Sequence, residues 1–173
     1  LGGAANVALN VAAMGAGPIV CAIAGKDAKG ETLATLLDKR GLSSKGIVYS
    51  DSRPTTIKSR VISGHQHIVR VDEESTQPLD AEEENAFLEN LERIIQDEKP
   101  DVVIFEDYNK GLLTPNVIAR AIEISSNAGI PTAVDPKKVN FFSYRGVTLF
   151  KPNLKELKEG LKVEFDKKDQ KSL

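Results

Sequence analysis

The chain switches between two spacings of apolar residues, and the switches mark its elements. Residues 4–14 are apolar nearly all round and stop at Gly15, which predicts a buried helix with a glycine at its C-terminus. Residues 18–24 read as a buried strand, residues 31–40 as a helix carrying Leu33, Leu36 and Leu37 that ends at Gly41, and residues 47–49 as a strand. A long helix is predicted over 80–99, with an apolar stripe at Phe87, Leu88, Leu91, Ile94 and Ile95, and with Asp80 and Glu83 spaced as a capping box. Strands then follow at 101–105, 132–134 and 146–150. Between and after them lie a helix capped by Thr114 with Pro115 at its first position, ending at Gly129, and another over 153–160. Strands alternating with helices predict an α/β domain built from βαβ units around a mostly parallel sheet. The charged tail FDKKDQKSL, Phe165 to Leu173, is expected to fray.

One span breaks the rhythm. TTIKSRVIS and HIVRVD are two period-2 runs separated by Gly64 and a polar pair, which predicts a β-hairpin over 55–72. Its cations Lys58, Arg60 and Arg70 fit either a solvated outer face or a flap over an anionic ligand.

The 173 residues suit one domain with a real core. Twenty-three basic and 25 acidic residues are interspersed to a net charge of −2, so no cationic face marks a nucleic-acid or anionic-membrane partner; a small molecule is expected instead. No apolar stretch reaches the roughly 18 residues of a membrane span. The single cysteine, Cys21, lies in an apolar run and reads as a buried reduced thiol, which favours a cytoplasmic protein. There is no G-x-x-x-x-G-K-[ST], no G-x-G-x-x-G after a strand and no G-x-S-x-G elbow. His65 and His67 lack a third ligand nearby and read as an exposed turn.

Four polar clusters remain. Gly2-Gly3-Ala4-Ala5-Asn6 puts bare backbone and an amide at a helix start, for a ligand hydroxyl or for a tight helix start alone. Phe105-Glu106-Asp107-Tyr108-Asn109-Lys110-Gly111 follows a strand at its C-terminal end, where open α/β sheets bind ligands; an Asx turn is the alternative. Val134-Asp135-Pro136-Lys137 repeats that placement, with a lysine able to meet a phosphate or simply a βα turn. Lys151-Pro152-Asn153-Leu154-Lys155-Glu156 offers an amide and a carboxylate beside a phosphate and its magnesium, or a capping box. Three polar clusters at the ends of successive strands are more than chance turns supply.

Together these motifs resemble the ribokinase-like, or PfkB, carbohydrate kinases. GGAANVALNVAAMGA is similar to the N-terminal signature of that family and KPNLKE to its N-x-x-E motif. RPTTIKSRVISGHQHIVRVDEE, FEDYNKGLLT, VDPK and YRGVTLFKPNLKEL narrow the resemblance to its D-glycero-β-D-manno-heptose-7-phosphate kinase branch, over residues 1–161. The resemblance implies a three-layer ribokinase-like α/β fold with a projecting β-hairpin lid. It implies transfer of the γ-phosphoryl of ATP, with Mg2+, to the anomeric hydroxyl of a sugar phosphate. It would put Gly2, Gly3 and Asn6 on the sugar, Asp107 on its hydroxyls with Lys110 nearby, and Lys58, Arg60, Gln66 and Arg70 in the lid over the distal phosphate. Asp135, Lys137, Asn153 and Glu156 would serve the nucleotide, Glu156 indirectly its magnesium, and a homodimer would form through the lid. The strand that precedes the double glycine in the family, and its G-A-G-D base motif, have no match in the 173 residues. The chain is therefore expected to start inside a domain, to carry no catalytic base, which the resemblance would place beyond Leu173, and to be inactive alone. A kinase for an uncharged sugar, or a noncatalytic binding module, are the alternatives.

Overall fold

The structure, a computed structural model, describes residues 1–64 and 66–163. The expectations for His65, for the charged tail and for a base beyond Leu173 lie outside those residues. The elements run α1 (Gly3–Ala13), β1 (Ala22–Gly25), α2 (Ala28–Asp38), β2 (Ile47–Ser50), β3 (Ile57–Ser63), β4 (Gln66–Glu73) and α3 (Ala81–Glu98). They continue with β5 (Val103–Glu106), α4 (Pro115–Asn127), β6 (Thr132–Asp135), a 3-10 turn (Lys138–Asn140), β7 (Leu149–Phe150) and α5 (Leu154–Leu161). Contacts group these into two compact units: Leu1–Ile94 with Lys110–Leu112, and Ile95–Asn109 with the chain from Leu113 on.

In the first unit β1 and β2 pair in parallel, Ala22 opposite Ile47 through Gly25 opposite Ser50. Ala5 and Ala8 of α1, Ala24 of β1, Leu37 of α2 and Ile47 of β2 form its core with Val20 and Leu42. Only Ala5 and Ala8 of α1 are buried, and Asn6, Asn10 and Met14 face solvent, so α1 is a one-sided helix and not the buried one its apolar run predicts. Alanines are small enough to expose on three sides at little cost. β1 is shorter than predicted, with Ile19 making a single bridge to Ser43.

α2 starts three residues before the predicted position because Asp27 caps it, accepting from the Gly30 N–H at 2.8 Å. The same carboxylate accepts from the Thr55 N–H at 3.0 Å and the Thr55 hydroxyl at 2.8 Å. Those bonds, the Thr55 N–H foremost, hold its pKa down to about 2 from 3.8. A depressed carboxylate pKa stabilises the fold above the unfolded value and loses that contribution as pH falls through the folded one. Asp27→Asn is therefore expected to lower the thermal midpoint at pH 6, with the gap to the parent closing between about pH 4 and pH 2. A gap of the same size at every pH would remove the ionised carboxylate from the account.

β3 and β4 form an antiparallel hairpin, Ile57 opposite Glu73 through Ser63 opposite Gln66, and pair with no other described strand. The register shifts between Val61 and Ile62, opposite Val69 and His67, so Ile68 is an extra residue on β4. Alternation gives one face Lys58, Arg60, Arg70 and Asp72, and the other Ser59, Val61, Val69 and Val71. Val61, Val69 and Val71 are about half exposed, at 51%, 47% and 56%. The predicted hairpin is thus present and lies outside the parallel pairing.

In the second unit β5, β6 and β7 pair in parallel, with Phe105 opposite Val134 and Val134 opposite Phe150. α4 starts where predicted, its Val117 N–H bonded to the Thr114 hydroxyl and Pro115 in the first turn, and it buries Val117, Ile118, Ala121 and Ile122. β7 keeps only two of the five predicted residues. The Thr132 and Thr148 N–H groups donate to each other's hydroxyls at 3.1 and 3.2 Å, replacing the main-chain bonds that would extend the strand. No described helix is long and apolar enough to cross a membrane.

Candidate functional site

At the start of α1, Gly2 is the N-cap in extended conformation and a Cβ there would meet nothing within 4 Å. The Asn6 N–H donates to the Gly2 carbonyl at 2.9 Å, an ordinary helical bond, and Asn6 is exposed. Backbone and amide are both open to a ligand hydroxyl.

On the charged face of the hairpin Lys58 and Arg70 already hold carboxylates. Lys58 Nζ lies 2.7 Å from Glu74 and 3.4 Å from Asp72, and Arg70 grips Asp72 with Nε at 2.8 Å and Nη2 at 2.7 Å. The bond to Glu74 raises the Lys58 pKa, and that to Arg70 lowers Asp72. Lys110 Nζ reaches the other Glu74 oxygen at 2.5 Å, the foremost reason the Glu74 carboxyl titrates low. Arg60 sits directly opposite Arg70, and no carboxylate partner for it is found among the described residues. A cavity of about 300 Å3 opens between Arg60, His67, Ile68, Val69 and Arg70. Gln66 is exposed at the start of β4.

Asp107 follows β5 and is buried. Its Oδ1 accepts the Asn109 N–H at 2.8 Å; its Oδ2 accepts the Asn140 amide at 3.2 Å and the Tyr144 hydroxyl at 2.8 Å. The Asx turn is therefore real, and a sugar hydroxyl would share a carboxylate already holding three donors. Burial, then the Asp107 charge, pushes the Tyr144 hydroxyl far above its usual pKa, so it stays a donor. Neither Asn140 nor Tyr144 was legible as an Asp107 partner: Asn140 lies in no quoted motif, Tyr144 only opens YRGVTLFKPNLKEL, and both are more than 30 residues from Asp107.

The strand ends of β6 and β7 bring the expected nucleotide residues together. Asn153 and Glu156 form the capping box, with the Glu156 N–H on the Asn153 side chain at 3.0 Å and the Asn153 N–H on Glu156 at 2.9 Å. The second Glu156 oxygen binds Lys137 Nζ at 2.6 Å. Burial pushes the Glu156 carboxyl up, but Lys137 and the Asn153 N–H outweigh it and the net shift is down; the same bond raises Lys137. Lys151 pairs with Asp135 at 3.0 Å. Glu106 stands in register with Asp135, and burial followed by that neighbouring charge raises its pKa. Lys151 and Glu106 were missed as site residues, although each lies within a quoted strand-end motif. Among the described residues no three His, Cys, Asp or Glu side chains are placed to hold a metal. Leu173 marks only the point beyond which the base is expected, and it lies outside the described residues.

In comparisons with known proteins, residues 1–172 match the pfkB family of carbohydrate kinases. The chain belongs to that family. It is 39% identical over 166 residues to the bifunctional protein HldE of Wolinella succinogenes, covering 96% of this chain and 35% of that protein. With HldE of Azorhizobium caulinodans it shares 44% over 168 residues, 95% of this chain and 35% of the relative. The chain thus spans about a third of the length of these relatives. Among solved structures, a putative phosphofructokinase from Staphylococcus aureus superposes with a TM-score of 0.76 at 18% identity, over 96% of this chain and 53% of its own. The inhibited tetramer of phosphofructokinase-2 from Escherichia coli gives 0.72 at 20%, over 97% and 54%. These likenesses show the ribokinase-like α/β fold.

Proposed function

We propose that this pfkB chain is part of an ATP-dependent kinase for D-glycero-D-manno-heptose 7-phosphate, transferring the γ-phosphoryl group to the C1 hydroxyl. The observation that carries the reading is the convergence of Lys137, Lys151, Asp135 and Glu156 at the ends of β6 and β7, beside the first turn of α5. The identity to proteins called HldE supports the heptose acceptor, and a basic hairpin face suits a phosphorylated sugar better than a neutral one.

Phosphoryl transfer depends mainly on positioning and on neutralising charge over the phosphate oxygens. In this reading Lys137 and Lys151 supply that charge, and Glu156 keeps Lys137 extended and protonated where the phosphates enter. Glu156 and Asp135 are the carboxylates that would hold a nucleotide-borne magnesium ion, which would help neutralise the phosphate charge. Gly2, Gly3 and Asn6 hold the sugar, and Asp107 stiffens the turn that carries Lys110. The activating base is none of these residues, so the 173 residues alone are expected to stay at background in an ADP-release assay.

In the full-length protein, Lys137→Met is expected to lower kcat/KM for ATP on the order of tenfold to a hundredfold, the worth of one charge-assisted contact, with the KM for heptose 7-phosphate little changed. Better turnover of ribose or fructose than of heptose 7-phosphate by the parent would sink the acceptor assignment. The half-exposed Val61, Val69 and Val71 face pairs with a second copy in this reading, giving a homodimer of a cytoplasmic enzyme. A sedimentation run showing monomer alone at high concentration would count against it.

A further inference from the structure

Within the first unit the hairpin joins the rest of the chain through two root segments, one before β3 and one after β4, and a guanidinium carried on the first of them binds the second. The Arg53 side chain is 9% exposed. Its Nη2 donates to the Gln77 carbonyl at 2.8 Å and the Lys110 carbonyl at 3.5 Å, and its Nη1 to the Pro78 carbonyl at 3.4 Å. Nη1 also lies 3.5 Å from Glu83 Oε2. Glu83 is held in turn: its Oε1 accepts from the Ser50 and Ser52 hydroxyls at 2.5 and 2.8 Å, and its Oε2 from the Asp80 N–H at 3.2 Å. The Leu79 N–H donates to the Gly111 carbonyl at 3.1 Å, so the returning root runs beside the turn that presents Lys110.

Three carbonyls from two separate stretches, and one carboxylate, around one planar fork are an arrangement only arginine satisfies. A lysine would bring one point charge and leave carbonyls without a donor.

We propose that Arg53 is a positioning residue: it sets both hairpin roots against the Lys110 turn, and so fixes where the basic hairpin face and the Lys110 ammonium meet an anionic acceptor. The acceptor part rests on the kinase reading above; the clamp itself does not.

The test uses the full-length protein with Arg53→Met, Arg53→Lys and Glu83→Gln. Two readouts are taken: amide hydrogen exchange, and separate KM values for ATP and heptose 7-phosphate. In Arg53→Met, exchange is expected to quicken at least tenfold over residues 74–80 and 110–112 while β5 and β6 keep the parent rates. The acceptor KM is expected to rise at least tenfold, with the ATP KM within twofold. Arg53→Lys should resemble Arg53→Met, because the fork and not the charge is at work, and Glu83→Gln should move both readouts in the same direction by less. Faster exchange throughout β1, β2 and α2 as well, or equal rises in both KM values, would make Arg53 a general stabilising residue and overturn the proposal. Full rescue by lysine would overturn it too. Should the parent phosphorylate no sugar phosphate, the kinase reading fails, and the exchange pattern alone still decides for or against the clamp.

Discussion

Gly111→Ala is expected to destabilise the protein by about 2–5 kcal/mol, against about 1–2 kcal/mol for Gly129→Ala. Both glycines sit in the left-handed region, at φ +83° and +72°, so both substitutions carry the same conformational strain. They differ in what a methyl group would meet. At Gly129 there is nothing within 4 Å, whereas at Gly111 the new carbon would overlap the Gln77 carbonyl and come to 2.9 Å from Arg53 Nη2. A side chain could rotate away, but the Gln77 carbonyl is backbone and belongs to the hairpin root. Relief therefore means displacing that root, and with it the Leu79 bond to Gly111. The measurement is the urea midpoint of both variants at unchanged m-value. Equal losses would mean that residues 77 and 111 are not packed as described. Because Arg53 and Gly111 share Gln77, the double variant Arg53→Met with Gly111→Ala should lose less than the sum of the singles.

What the sequence made legible was what its residues settle locally. Thr114 with Pro115, Asp80 with Glu83 and Asn153 with Glu156 each close within one helical turn, and all three caps are where their spacing puts them. The hairpin was legible because a two-residue period of β-branched and charged residues survives without tertiary help. Long-range facts were not. The Asp27 cap was overlooked because its other partner, Thr55, is 28 residues on, and nothing near Ala28 shows a helical period. The extent of β7 turned on a threonine pair 16 residues apart. In the site, types and strand-end placement could be read, but not what each group already holds. Lys58, Arg70 and Lys110 look like free cations in sequence, and Asp72 and Glu74 like ordinary acidic residues; folding turns them into ion pairs. Arg53 opens the quoted RPTTIKSRVISGHQHIVRVDEE motif, but nothing in the motif announced its role, since its partners are mainly backbone carbonyls, which any residue offers.

Those ion pairs decide how the last expected result divides among the cations. The full-length kinase is expected to favour 7-phosphorylated heptose over the unphosphorylated sugar on the order of tenfold to a hundredfold or more in kcat/KM, because a single charge-assisted contact to a phosphate is worth that much. Sequence alone spreads that preference over Lys58, Arg60 and Arg70 without order. In the structure Lys58 already lies between Glu74 and Asp72, and Arg70 commits Nε and Nη2 to Asp72. To serve a phosphate, either must leave a carboxylate or share with it, so its net gain is smaller. Arg60 has no such partner among the described residues and stands across the strand from Arg70, a like-charge pairing that an anion between them would relieve. Arg60→Met should therefore erase the largest share of the preference, Arg70→Leu less and Lys58→Met least, each with the ATP KM within twofold. Added salt should narrow the preference in the parent, since these contacts are exposed and screened. Comparable kcat/KM for the two sugars in the parent would reject the phosphate assignment of the hairpin. An intact preference in Arg60→Met, with its loss confined to Lys58→Met, would show that the carboxylates give way to phosphate and that Arg60 does not lead.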